Sequence, residues 1–476
     1  MAEIIPWPEA ENVYAGKFPS KKGAPALSVR MALGSLIIKE KLGLSDQETV
    51  DQIKENPYLQ YFIGLERYQN EAPFDASMLT WFRKRIEYSD LDTVQEKLCL
   101  MLVAKEKEQE RQKNKKAKEE SNDKNDTDDE PPADAEPKNQ GKLIVDATCA
   151  PADIAYPTDL GLLNDAREKS EKIIDKLHAH TPKKVKKPRT YRQKARKDFL
   201  KLSMKRNVAK KHRERGNGKQ LQYLNRNLKS IGALSANVSL QVLEPYWYRT
   251  LLVITELYRQ QQQMHQSGQK RIDDRIVSIS QPHVRPIVRG KASAKTEFGM
   301  KLSISVVNGW STVERMSWKN YNEGCNLKQD IERYHVRYGY YPESVHADKI
   351  YRTQANRNWC KEHGIRLSGI PLGRPPKDAE KNRARQKQIR EDEGIRNGVE
   401  GKFGEAKRRY GLKRIMAKLS GTSQTTVSII FLVMNLQRML SVLFACFRVL
   451  RYSWTQYRLY SRFYAPAEHS FALSAC

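Results

Sequence analysis

Near the C-terminus of this 476-residue chain, Arg396, Glu400 and Lys407 follow one another at spacings of four and seven. On a helix those spacings put all three on one face. An acid held between two cations suits a site that binds a metal and phosphates together. Two earlier aspartates have the context to complete it. Asp146 ends the apolar run Leu143-Ile144-Val145, and Asp348 follows Ser344-Val345-His346-Ala347, just after a Tyr/Gly-rich turn. Carboxylates at two strand ends and on a helix form a set that two divalent ions can share, and phosphodiester chemistry is what such a site serves. Hard cations call for oxygen ligands, and no His or Cys cluster competes for the role. Each residue also has a bland reading. A strand-end aspartate often just caps a turn, and cations four residues from an acid form helix pairs worth only about 0.2–0.5 kcal/mol.

The wider set of motifs resembles the DDE transposases of bacterial insertion sequences, in particular the insertion sequence five group of the insertion sequence four/five superfamily. The signature of that group is Tyr, two residues, Arg, three residues, Glu, six residues, Lys. Arg396, Glu400 and Lys407 match it in type and spacing, while Glu393 stands at the Tyr position. The resemblance also covers Asp146-Ala147-Thr148 with Tyr156-Pro157-Thr158-Asp159 after it, Arg289-Gly290-Lys291 followed by Glu297-Phe298-Gly299, and Ala347-Asp348-Lys349-Ile350-Tyr351. It runs over most of residues 143–440, and the first hundred residues look like the helical leader of the group.

The resemblance implies a ribonuclease H-like catalytic core and two Mg²⁺ ions, with Mn²⁺ able to substitute. Asp146 would bridge both ions, Asp348 would bind one and Glu400 the other. Arg396 and Lys407 would grip phosphates flanking the scissile bond, with Arg289, Lys291 and Lys349 as further phosphate contacts. Glu393 removes the stacking or phosphate contact a Tyr would make, and Tyr410, three residues past Lys407, is expected on the same face as partial compensation. His346 beside Asp348 is expected to be a packed strand residue and not a base. The implied activity is cleavage at the ends of an insertion element and joining of the freed 3′-hydroxyls to target DNA. Its partners would be double-stranded DNA, both terminal inverted repeats and target, and further copies of the chain in a synaptic complex. A catalytically silent DNA-binding protein of the same fold, a repressor or relic, is the alternative, and a structure-selective nuclease a third reading. The three acids favour activity, since carboxylates that repel one another cost stability.

Composition points the same way. Lys and Arg number 85 against 56 Asp and Glu, a formal charge of +29, so a polyanionic partner is the first expectation, DNA or, as in ribosomal proteins, RNA. With 39% hydrophobic residues the chain can still bury a substantial core. Its six cysteines, Cys99, Cys149, Cys325, Cys360, Cys446 and Cys476, form no CxxC pair and no Cys/His cluster, and read as reduced thiols. The N-terminus lacks a basic segment followed by an apolar one, so a cytoplasmic, nucleoid-associated protein is expected. The apolar run Val427–Leu450 is broken by Asn435, Gln437, Arg438 and Arg448 and reads as a buried helix, not a membrane span.

The organisation follows from these patterns. Residues 1–104 read as an all-helical domain for DNA binding or dimerisation, with helices over Leu27–Leu42, after the capping box Ser45-Asp46-Gln47-Glu48, and from about Asp75 through the basic Arg83-Lys84-Arg85. Residues 105–142 read as a charged, disordered linker. Residues 143–163 and 274–445 form the mixed α/β core, 164–273 a basic helical insertion and 446–476 a tail. Residues 183–230 hold 19 Lys and Arg against 2 acids, and two basic helices joined by a turn at Gly216-Asn217-Gly218 are expected to lie along the DNA backbone. Strands are predicted over 143–148, 275–280, 296–307, 312–317 and 344–347, with an Asn308-Gly309 hairpin, and helices over 328–338 and 353–362.

Overall fold

The computed structural model describes residues 1–18, 25–101, 103–104, 139–182, 184–288, 296–371, 373–374, 376 and 378–464. The segment expected to be a linker lies outside them from 105 to 138, as do residues 465–476 of the expected tail.

Among the described residues, six helices precede the sheet: α1 (Trp7–Ala15), α2 (Val29–Leu42), α3 (Asp46–Glu55), α4 (Pro57–Phe62), α5 (Met78–Arg85) and α6 (88–101). Their ends are set by local chemistry. The Ser28 hydroxyl caps α2, which stops at Gly43 with φ 69°, and Ser45 with Glu48 forms the reciprocal capping box of α3. In α5 the basic residues are already engaged: Arg83 makes a two-pronged contact with Asp46 at 2.9 and 2.5 Å, and Lys84 lies 4.6 Å from the Trp81 ring centroid.

The sheet comprises β1 (Lys142–Pro151), β2 (Arg285–Val288), β3 (Thr296–Val307), β4 (Trp310–Ser317), β5 (Ser344–Ala347) and β6 (Arg366–Leu367). Across it the order is β2-β3-β1-β5-β6, with β4 also paired to β3. The first strands are antiparallel, whereas β1, β5 and β6 run parallel. At the β3–β4 turn Asn308 and Gly309 take φ 50° and 78°, the two left-handed positions a tight hairpin needs. Between β1 and β2 come α7 (Asp159–Ala179), α8 (Arg192–Ser203), α9 (Lys210–Ser235) and α10 (Pro245–Ser267). After β4 come α11 (Leu327–Tyr338), α12 (Gln354–Glu362), α13 (Ala379–Arg409) and α14 (Ser420–Tyr464).

Both faces of the sheet are covered. Leu143, Val145 and Ala147 share one apolar cluster with Leu327, Ile331 and Cys360 of α11 and α12. On the other face Leu302, Ile304 and Val306 join a cluster that includes α13, α14 and the N-terminal helices. Ser420–Phe444 of α14 is long and apolar enough to cross a membrane, yet most of it is buried inside this fold. Its polar interruptions serve the hairpin: Asn435 exchanges hydrogen bonds with the Ser311 backbone at 3.1 and 2.8 Å, and Arg438 donates to Asn308 O at 2.7 Å. The helix continues unbroken past residue 445, where a separate tail was expected to begin.

Two further expectations fail. Residues 275–280 form no strand. Ile276 and Ile279 are buried against the insertion helices and Val277 against Ala152 and Val284, while the Ile276 N–H donates to the Gln260 side chain at 2.9 Å. The run is apolar because it is wedged between clusters. Gly216 and Gly218 do not break the basic region either; both lie within α9, and the turn falls at 204–209. A Cβ at Gly216 would lie 2.2 Å from Leu202 Cδ1, so this glycine lets α9 approach α8.

Candidate active site

The period of two along β1 puts Ile144, Asp146 and Thr148 on the face that looks toward α13, while Leu143, Val145 and Ala147 turn into the opposite core. Strands β1 and β5 run parallel with Val145 opposite Ala347, so Asp146 and Asp348 emerge as neighbours. Beyond β5 the chain folds into a 3₁₀ turn (Lys349–Tyr351) capped by Asp348, whose Oδ1 accepts from Lys349 N at 2.7 Å. Asp146 Oδ1 accepts from Ala147 N at 2.8 Å.

Helix α13 supplies the rest. Val399, Phe403 and Ala406 anchor it on the core, leaving Arg396, Glu400 and Lys407 toward the cavity they line with Asp146 and Asp348. Arg396 pairs with Glu400 at 3.2 Å, and Lys407 Nζ donates to Thr148 Oγ1 at 3.0 Å, linking helix to strand. The expected constellation therefore meets at one cavity. Burial pushes the Asp146 carboxyl up to about 6; the charges of Glu323 and Asp348 add to the rise, while the Ala147 N–H and Arg396 oppose it.

Other expected residues stand elsewhere. Lys349 is exposed at the turn and does not line the cavity. Arg289 and Lys291 lie outside the described residues, although their neighbour Val288 reaches the cavity wall. Glu393 is exposed and does not line the cavity. Tyr410 is not on the cavity face: it caps the end of α13 and turns into the apolar core, so it compensates for nothing at position 393. His346 is fully buried, with Nε2 3.0 Å from Ser344 Oγ and Nδ1 3.6 Å from Asp392, and burial lowers its pKa, as suits a packed strand residue.

The sequence reading missed Glu323, which also lines the cavity. It sits in a 3₁₀ turn (Glu323–Cys325) between β4 and α11 and pairs with Lys301 of β3 at 2.8 Å. The one local cue is Asn322-Glu323-Gly324, a turn signal that says nothing of where the turn lands.

Among the described residues, no three His, Cys, Asp or Glu side chains are grouped closely enough to hold one ion together. The fit to a divalent cation rests on chemistry: the acidic donors are all hard oxygens, and a bound cation would offset the cost of charging Asp146, which comes chiefly from burial and then from Glu323 and Asp348.

Residues 345–437, which include Asp348, Arg396, Glu400 and Lys407, match a transposase DDE domain, and residues 1–85 match a transposase domain (DUF772). Over 159 residues the chain is 33% identical to "Uncharacterized protein ORF8 in nfe locus" of Rhizobium meliloti, a match covering 33% of this chain and 63% of that protein. The chain thus spans less than two thirds of that relative's length. No solved structure matches the chain. Two separate segments of the chain are therefore similar to transposase domains, and these matches support a transposase.

Proposed function

We propose that this chain is a DNA transposase that cleaves at the ends of its insertion element and joins the 3′-hydroxyls to target DNA, with Asp146, Asp348 and Glu400 as the acidic triad. The observation that carries the reading is the meeting of these three acids with Arg396 and Lys407 at one cavity, from strand ends and a helix far apart in sequence. The strand order, with an antiparallel hairpin beside β1 and parallel β5 and β6 on its other side, supports a ribonuclease H-like core over 143–163 and 274–445. The insertion 164–273 would track the DNA backbone, and the helices of 1–104 would read the terminal repeats or pair chains in a synaptic multimer.

In this reading the cation charges of Arg396 and Lys407 bind the phosphates on either side of the scissile bond. The Lys407 contact to Thr148 and the Arg396 pair with Glu400 keep both groups pointed into the cavity before DNA arrives. Asp146, Asp348 and Glu400 would hold the divalent ions, Mg²⁺ or Mn²⁺. When bound, these activate the attacking water or 3′-hydroxyl and stabilise the leaving oxygen.

The test is cleavage and joining of a duplex carrying the element's own ends, with native chain and Glu400→Gln compared in Mg²⁺ and Mn²⁺. Divalent-dependent products from the native chain, lost in the variant while DNA binding persists, are expected. Equal binding with no products from either would replace the reading with that of a silent DNA-binding protein, and cleavage without joining would indicate a nuclease.

A further inference from the structure

We propose that Asp392, held by Arg366 and His346, is a positioning residue that sets the register of α13 and so delivers Arg396 and Glu400 to the cavity, an inference that rests on the phosphoryl-transfer reading of that cavity. From Ala379 to Gly398, the part of α13 that carries Arg396 and leads into Glu400, Asp392 is the one buried residue; Val399, Phe403 and Ala406 bury only the part that follows. A carboxylate, and no buried apolar side chain, therefore seats this part of the helix on the sheet.

The contacts around Asp392 are directional. Arg366 of β6 donates from Nη1 to both Asp392 oxygens, at 3.0 and 2.8 Å, and Gln388, one turn earlier on α13, adds a bond at 3.3 Å. His346 of β5 faces the same carboxylate with Nδ1 at 3.6 Å, while its Nε2 lies 3.0 Å from Ser344 Oγ. Burial would raise the Asp392 carboxyl, but the Arg366 hydrogen bonds and charge, with His346, bring it below the ordinary value, so it is ionised at neutral pH. Burying a charge is costly, and an apolar side chain would hold the helix at less cost. What an apolar contact lacks is direction, whereas an ion pair of fixed geometry specifies register.

Register matters here because of what lies beyond the contact. Asp392, Arg396 and Glu400 follow one another at spacings of four, along one stripe of the helix. His346 stands two residues before Asp348, so a single contact ties the strand that leads to one acid to the helix that bears another. Past the site, Lys407 Nζ is tied to Thr148 Oγ1 at 3.0 Å, and between the two ties a Cβ on Gly398 would lie 3.9 Å from Ile144 Cδ1, an ordinary contact. Helix and strand keep pace there, since Gly398 to Lys407 and Ile144 to Thr148 each advance about 13 Å. Polar contacts thus pin α13 at both ends of the stretch that carries Arg396 and Glu400, and slippage at the Asp392 end would move both groups against Asp146 and Asp348.

The experiment is single-turnover cleavage of a duplex carrying the element's ends, measured per folded molecule at saturating DNA and Mg²⁺, for the native full chain, Asp392→Ala, Asp392→Leu, Asp392→Asn and Glu400→Gln. Arg366 keeps 43% of its side chain exposed and can turn to water, so losing Asp392 strands no cation in the core. Asp392→Leu fills the vacated space and decides the matter if Asp392→Ala does not fold. With DNA affinity within about twofold of native, the cutting rate is expected to fall about tenfold or more in these two variants, the scale of a misplaced reacting group. Asp392→Asn, whose amide oxygen still accepts from Arg366, is expected to recover part of that rate. A role in stability alone would lower the melting temperature and leave the rate per folded molecule unchanged. Native rate in folded Asp392→Ala or Asp392→Leu, with Glu400→Gln inactive, would therefore overturn the positioning role and leave the cavity reading standing. Glu400→Gln cutting like the native chain would overturn the acid triad and this inference with it.

Discussion

Asp146, a ligand in the proposed reaction, is held in the folded chain at a cost to its charged form. Its carboxyl is raised to about 6, chiefly by burial and then by Glu323 and Asp348, against an ordinary value of about 3.9. Between those two values the folded chain keeps a proton that the unfolded chain has released. Stability contributed by this group therefore falls as pH rises from about 4 to about 6, and the full penalty stands above that. Asp146→Asn removes the charge and is expected to stabilise the fold at pH 7.5 by on the order of 1–2 kcal/mol while abolishing cleavage. Urea unfolding at pH 7.5 and pH 4.5 checks it: the gain should be present at the higher pH and nearly gone at the lower, and an equal gain at both would show that charge is not the cause. Because protons compete with a metal for the same oxygens, divalent affinity should rise across the same interval.

At the scale of elements, Gly299 shows how tightly the strand carrying Asp146 is held. β3 passes β1 so closely that a Cβ on Gly299 would lie 2.2 Å from Ala150 O and 2.8 Å from Pro151 Cα, both backbone atoms with nowhere to go. Gly299→Ala is expected to cost about 2 kcal/mol or more and to disturb Thr148 and Asp146 just upstream, so a lowered Tm with cleavage depressed beyond the loss of folded protein is the outcome to look for. Native Tm would mean the strands separate freely. Elements of this kind were legible where local pattern and tertiary context agree. Thr296–Val307 and Ser344–Ala347 appear with the predicted bounds, since alternation and the Asn-Gly turn are local signals. Residues 275–280 misled because burial between two clusters produces the same apolar run as a strand. Gly216 misled because close helix contact and a turn ask for the same residue. Glu323 gave no signal at all, because its relevance comes from where the β4–α11 connection lands. The Arg396, Glu400 and Lys407 face was readable because helix periodicity alone fixes it.

The whole molecule joins a firmly docked N-terminal region to a highly charged insertion. Arg337 of α11 binds Glu96 of the N-terminal helices at 2.7 Å and also the fully buried Glu314 of β4, to which Arg333 adds a contact at 3.3 Å. Removing Arg337 leaves Glu314 underpaired in the core, so Arg337→Ala is expected to cost about 3–5 kcal/mol and to loosen the helices from the sheet. Hydrogen exchange should then rise in α6 as well as α11; a change confined to α11 would show the regions to be independent.

The charge itself lies elsewhere. Between residues 183 and 230, 19 basic residues face 2 acids, and Lys194, Arg196, Lys197 and Lys201 all stand exposed on α8. Helix α8 buries only Ala195 outright and is held by polar contacts, Arg192 to Asp175 at 2.6 Å and Tyr223 to Asp198 at 3.0 Å. A surface this positive gains by releasing counterions from DNA, and the logarithm of affinity then falls with the logarithm of salt by about 0.9 per phosphate neutralised. Changing those four residues to Gln leaves the apolar core of the insertion untouched and is expected to lower the slope by about 3–4. Anisotropy titrations of a duplex from 50 to 300 mM salt, at ~25 °C, read it directly. A weaker affinity with unchanged slope would mean that α8 acts through folding, and an unchanged affinity would move the DNA track off the insertion altogether.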